Sequence, residues 1–235
     1  MKRLSSMVLA GAASALALAS SLSAQVGYQP QASPYRDLFY RHELSLLGGY
    51  YGGDVGTAKV APGSGPITGV RYDIRIGGPV AFTMKAQRSF TDRRVLDPNQ
   101  PFSQRFQGST SAPVYLIDAG LTMHLTGQRT WHNLTPLISG GAGIASDFGG
   151  GVHDPGDFTV GTPLAFNFGG GIRYNNGGRY AVRVDFGTYL YEITYPASYH
   201  TPPGGGGPIV GGSAGAAEWK YHKVLTIGFS KFYGR

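Results

Sequence analysis

From about residue 42 onward, apolar and polar side chains alternate with a period of two, a pattern that suits strands and no helix. Val70, Tyr72, Ile74 and Ile76 share one parity, and Arg71, Asp73 and Arg75 share the other. Val80, Phe82, Met84 and Ala86 stand in the same way against Ala81, Thr83, Lys85 and Gln87. Tyr115, Ile117, Ala119, Leu121, Met123 and Leu125 oppose Asp118, Gly120, Thr122 and His124. Eight strands are expected on this basis, at 42–51, 67–76, 80–90, 114–126, 134–146, 164–174, 180–191 and 221–233. Most are about as long as the roughly 9–11 residues that a tilted strand needs to cross a bilayer. Strands of soluble proteins average about 5–6. The fifth is so rich in Gly and Ala that its faces stay unassigned.

The connections alternate too. Long ones (52–66, 91–113, 147–163 and 192–220) take turns with short ones (77–79, 127–133 and 175–179). That rhythm predicts an all-β chain, an eight-stranded antiparallel up-and-down transmembrane barrel with short periplasmic turns and long extracellular loops. Alternation alone also fits a soluble lipocalin-like barrel, because the apolar face reads equally well inward or outward. Composition separates the two. Charged residues make up 14% of the chain, against about 25% in an ordinary soluble domain. The polar parity is no carpet of Lys and Glu, but Gly, Ala, Thr and Ser with a few charges of both signs. Aromatics collect at strand ends: Phe39, Tyr40, Tyr174, Tyr180, Phe232 and Tyr233 at one rim, and Tyr50, Tyr51, Phe90, Tyr189, Tyr191, Trp219 and Tyr221 at the other. Two interfacial girdles are what a bilayer requires.

The N-terminus points to export. Lys2 and Arg3 precede an apolar stretch from Met7 to about Ala19, and small residues follow with a cleavage site expected after Ala24. Residues 1–24 thus read as a signal peptide, 25–40 as an extended N-terminal segment, and 41–235 as the barrel. The chain has no cysteine, which excludes disulfides, thiol chemistry and a lipid-modified Cys. The formal charge of +7 includes Lys2 and Arg3. The remaining excess is scattered and lacks a basic run with interleaved aromatics, so no nucleic-acid partner is expected.

With its eight alternating strands, its loop rhythm and its terminal "FSKFYGR", the chain resembles the small eight-stranded outer-membrane barrels of the OmpA transmembrane-domain and OmpX kind, within the porin family. The resemblance is architectural and covers about residues 41 to 235. It implies a monomer among outer-membrane lipid and lipopolysaccharide, inserted by the barrel-assembly machinery, which in that family reads a terminal aromatic. Here Tyr233 stands two residues short of the end. No periplasmic domain that binds peptidoglycan is expected after the barrel, unlike full-length OmpA.

An eight-stranded barrel is filled by its own side chains. Arg71, Asp73, Arg75, Lys85, Asp118, His124, Arg173, Arg183 and Asp185 are therefore expected to form a paired network of charges inside. An ion path is the alternative. The expected function is non-enzymatic, structural or surface-interacting; a lipid-A-modifying enzyme and a narrow pore or carrier of hydrophobic molecules are the competing readings. Nucleophile–histidine candidates for an enzyme are His42 with Ser45, His124 with Thr122, and Ser198 with His200; none has a third group at a telling spacing. Asp147, Asp154 and Asp157 share one loop without the spacing of a calcium site. No metal or cofactor is expected. Arg93 and Arg94 follow a rim aromatic and would suit lipopolysaccharide phosphates. In the hairpin "GGIRYNNGGRYAVRVDFG", Tyr174 is expected opposite Tyr180, Asn175 opposite Arg179, Arg183 opposite Gly171 and Asp185 opposite Gly169.

Overall fold

The computed structural model describes residues 33–148, 155–203, 207–211 and 215–234. The expected signal peptide, residues 25–32 and Asp154 lie outside them. Twelve strands occur among the described residues: β1 (Tyr35–Asp37), β2 (His42–Gly52), β3 (Gly65–Gly77), β4 (Val80–Ser89), β5 (Asp92–Leu96), β6 (Phe106–Ser111), β7 (Tyr115–His124), β8 (Arg129–Trp131), β9 (Leu134–Ser146), β10 (Leu164–Tyr174), β11 (Tyr180–Thr194) and β12 (Ala217–Tyr233). Eight of them pair antiparallel in the cyclic order β2-β3-β4-β7-β9-β10-β11-β12, and β12 returns to β2 through pairs from Lys223↔Gly52 to Tyr233↔His42. The barrel is closed. Closure leaves none of these strands as an open edge, which is the condition for backbone amides to sit in hydrocarbon.

The pleat is inside-out. On β12, Leu225, Ile227 and Phe229 are exposed while Thr226 and Ser230 are buried. On β10 and β11, Ile172, Val182, Val184 and Phe186 face out while Arg173 and Arg183 are 1% exposed. The alternation assigned from the sequence to β3, β4, β7 and β12 holds, and β9 now has a register. Thr135, Leu137 and Ala145 face inward, and Ile138, Gly140 and Ala142 outward.

Four local differences from the sequence reading have physical causes. The connection 91–113 carries the β5–β6 hairpin, a two-stranded ribbon rising above the barrel; its short strands "DRRVL" and "FQGSTS" have no apolar alternation to announce them. Residues 35–37 form β1 on β8, and Leu38 is buried, so this part of the N-terminal segment is tied to the barrel rather than extended away from it. β11 and β12 continue together to Thr194↔Ala217, past the ends expected at 191 and 221. The girdle at the long-loop end is smaller than expected. Tyr50, Phe90, Trp219 and Tyr221 are exposed, but Tyr51, Tyr189 and Tyr191 share the inward parity and are buried. At the short-turn end Phe232 is also buried, stacked on Tyr40.

The hairpin register differs as well. Tyr174 pairs with Val182, Arg173 with Arg183 and Gly171 with Asp185, and Asn175–Arg179 form a five-residue connection. The two-residue shift keeps every face, as a pleat of period two demands. Asn175 causes it. Its amide donates to the carbonyls of Gly178 (3.1 Å) and Tyr180 (3.1 Å), and its side-chain oxygen accepts from the Gly177 amide (2.6 Å). Gly177, at φ 80°, supplies the left-handed residue of the turn. Asn175 thereby holds the loop as a wider turn of its own.

Candidate functional site

Among the described residues, the lumen is the place where chemistry-bearing groups from many strands meet. Two sequence triplets, Arg71-Tyr72-Asp73 on β3 and Arg183-Val184-Asp185 on β11, place an arginine and an aspartate on the same inward parity. In each the guanidinium forks onto its own strand's carboxylate, at 2.8 and 3.0 Å for Arg71 and at 2.6 and 3.0 Å for Arg183. Such bidentate pairs are among the strongest polar contacts available to buried charge. Arg183 also reaches Asp73 at 3.2 Å, which joins the two triplets across the barrel.

Glu43 on β2 completes this layer and was missed in the sequence reading. It pairs with Arg173, and its other oxygen lies 3.2 Å from Arg183. The register puts Arg173 directly opposite Arg183, a repulsive position for two like charges. Glu43 makes it tenable by accepting from both. Its parity, opposite to that of the outward Leu44 and Leu46, was the signal available. Leu47, an apolar residue on the inward parity, masked it.

Threonines finish the layer. Thr122 accepts from Arg71 at 2.6 Å and lies 2.7 Å from Thr83, which bonds to Asp73. Nearer the long loops, Lys85 lies 3.4 Å from Asp118, and Asn167 and Tyr189 each donate to Asp118, at 2.9 and 2.6 Å. Nearer the short turns, Arg75 leaves the network and donates to the carbonyl of Leu38 at 2.6 Å. His124 is buried by Arg75 and Arg173, and its Nδ1 has no hydrogen-bond partner among the described residues. Eight of the nine expected network residues thus line the interior, and Arg75 lies at its mouth.

The lumen is balanced: Arg71, Lys85, Arg173 and Arg183 face Glu43, Asp73, Asp118 and Asp185. Burying charges costs several kcal/mol per ion unless each is paired, so equal numbers of the two signs are what a filled interior needs. Glycines give the long side chains their room. A Cβ on Gly228 would lie 2.7 Å from the Arg183 Cγ, and one on Gly171 would lie 2.5 Å from the Asp185 carboxylate. Glycines thus make space for these charges, with Gly228 and Gly171 standing where Gly171 and Gly169 were expected.

Little space remains. The cavity among Arg71, Lys85, Gln87, Asn167 and Asp185 measures about 30 Å³, and the one beside Glu43, Arg75, His124 and Arg173 about 10 Å³. A single ordered water needs about 10–15 Å³. Above the charged layers, Tyr51 bonds to Tyr191 (2.7 Å) and to His222 (2.9 Å), and His222 stacks on Tyr191. Above these, Val60, Leu96, Val114, Phe158, Ile193, Tyr195, Tyr199 and Val210 build a hydrophobic cap from strand ends and long loops.

The remaining candidates disperse. His42 bonds outward to Tyr72 while Ser45 bonds inward to Ser230, since residues three apart on a strand take opposite faces. Thr122 is committed to Arg71 and Thr83. Ser198 donates to the Gly156 carbonyl from a single helical turn, Ala197–His200. Asp147 accepts from the Val160 amide at 2.9 Å, while Asp157 is exposed. Arg93 is buried with its guanidinium over Phe158, whereas Arg94 is exposed and covers Phe106. Beyond the girdle, Glu218 bonds to Tyr195 and accepts from Thr57 at 2.6 and 2.8 Å. Burial opposes its charge, yet these hydrogen bonds hold its carboxyl down to about 2.

No family model and no curated protein matches the chain. Among solved structures, Neisserial surface protein A is similar at 14% identity over 86% of this chain and 98% of that one, with a TM-score of 0.45. A major outer membrane protein from Thermus thermophilus is similar at 10% identity over 83% and 100%, with a TM-score of 0.43. The Yersinia pestis outer membrane protein Ail is similar at 12% identity over 81% and 99%, with a TM-score of 0.37. The closed barrel stands on its own strand pairing, described above.

Proposed function

We propose that the chain is a non-enzymatic outer-membrane barrel, exported by its N-terminal signal and working through its surface rather than its lumen. The observation that carries the reading is the inside-out pleat combined with a charge-balanced, nearly solid interior. A wall of exposed Leu, Ile, Val and Phe has hydrocarbon as its natural solvent. A lumen whose cations and carboxylates pair with one another, around cavities of about 30 and 10 Å³, has no room for a substrate. On the outer side, Arg94 over Phe106 and Arg88, packed on Phe90 (5.0 Å) and Tyr115 (5.4 Å), present guanidinium groups to lipopolysaccharide phosphates.

Conductance tests the closed lumen. Purified protein, shown to be folded by heat-modifiable migration on a gel, should leave planar bilayers silent. Stable single-channel steps would replace the reading with a pore. Hydrolysis of purified lipopolysaccharide that disappears in His124→Ala or His200→Ala would replace it with an enzyme.

A further inference from the structure

Charge is divided unequally between the two ends of the barrel. The long connections 52–66, 91–113, 147–163 and 192–220 hold five basic and eight acidic residues. The short-turn segments 35–41, 75–79, 127–133, 175–179 and 231–234 hold six basic residues and one acid, Asp37. Asp37 is already paired with Arg129 at 2.8 Å, and Arg75 is committed to the Leu38 carbonyl. Arg36, Arg41, Arg179 and Lys231 remain exposed, with no carboxylate at ion-pair distance among the described residues.

Three of these four gather about one turn. The Arg36 Nη1 lies 3.6 Å from the place a Cβ would take on Gly177. Arg179 closes the same turn, and its carbonyl accepts the Phe232 amide at 2.8 Å. Lys231 pairs across the sheet with Tyr180 and stands on the outer wall between Phe229 and Tyr233, both exposed. Tyr180 stacks on Phe229 at 5.5 Å. A lysine set among girdle aromatics lays its stem on apolar surface and delivers its ammonium at headgroup depth. That depth favours a lipid over a soluble partner.

We infer that Arg36, Arg179 and Lys231, around the 175–179 turn, form a docking surface for the anionic phospholipid headgroups of the leaflet that the short turns face. The inference rests on the membrane-barrel reading above. Each unpaired cation near an anionic surface raises affinity about five-fold at low salt, and salt screens the gain.

The chain's two tryptophans allow a direct test, because Trp131 on β8 pairs with Tyr35 beside Arg36 while Trp219 lies at the opposite rim. Trp219→Phe protein is reconstituted in phosphatidylcholine vesicles containing equal fractions of brominated phosphatidylglycerol or brominated phosphatidylcholine. The expected result is that the anionic lipid quenches Trp131 with an apparent affinity at least about five-fold higher, a preference reduced by salt. Adding Arg36→Gln, Arg179→Gln and Lys231→Gln together should bring the two lipids close to parity, with heat-modifiable migration retained. Should the triple variant fail to fold, Lys231→Gln alone should still lower the preference by at least about two-fold. Equal quenching by the two lipids, or a preference that survives the substitutions, overturns the inference. So does loss of binding to purified cell-wall sacculi in the triple variant without any lipid preference, which would make the wall the partner. Absence of quenching by either lipid would instead refute the membrane-barrel reading itself.

Discussion

Glu43 sits between two arginines that the sheet register sets face to face, and pairs with both. Glu43→Gln keeps the shape and removes the charge, leaving Arg173 and Arg183 to repel across the pair. Breaking a buried ion pair in this way costs about 3–5 kcal/mol. The measurement is reversible urea unfolding of the refolded barrel, in which exposed Arg94→Gln should stay within about 0.5 kcal/mol of the parent. Adding Arg173→Gln to Glu43→Gln should cost less than the two separate losses combined, because the partners share one network. A cost for Glu43→Gln no larger than that for Arg94→Gln would show that the network does not stabilise the fold. Most of the network was legible in the sequence because Arg71 and Asp73, like Arg183 and Asp185, stand two residues apart and so on one face. Glu43 was not, since its partners lie 130 and 140 residues away and nothing local marks them.

At the scale of elements, parity was legible and register was not. A two-residue slip conserves the faces, so hydrophobic pattern alone leaves Tyr174 free to meet either Tyr180 or Val182. The choice belongs to the Asn175 side chain, which organises the turn through three hydrogen bonds. The β5–β6 ribbon escaped notice for a related reason. The buried positions of β5 are the polar Arg93 as well as Leu96, and β6 buries none, so neither strand shows an apolar alternation. Above the long-loop rim, Glu218 ties residue 57 of one loop to Tyr195 of another. Its carboxyl titrates near 2, below its ordinary 4.5. The tie is therefore fully present above pH 4.5 and lost as pH falls toward 2. Amide exchange of residues 57–61, corrected for the intrinsic rate, should be unchanged from pH 7 to 5 and rise below 4.5. Glu218→Gln should show the raised exchange already at pH 7. Uniform protection down to pH 2 would mean that other contacts hold the loop.

At the scale of the molecule, the chain inverts the soluble arrangement: charge is the core and hydrocarbon side chains are the surface. Eight strands enclose so narrow a lumen that side chains fill it, and apolar residues from strand ends and loops seal the long-loop end. The barrel and its inverted faces were legible because period-two alternation and loop rhythm are properties of the whole chain. The aromatic cap was less so, because Tyr51, Tyr189 and Tyr191 have girdle composition and only their parity sends them inward. The inside-out pleat is the central claim, and the absence of native cysteine makes it directly testable. Single substitutions along β12 (Leu225→Cys, Thr226→Cys, Ile227→Cys, Phe229→Cys and Ser230→Cys) are spin-labelled in vesicles, and collision with dissolved oxygen is measured at each site. High oxygen accessibility at 225, 227 and 229 with low values at 226 and 230 is the expected result. The opposite phase, or no alternation, would contradict the barrel described here.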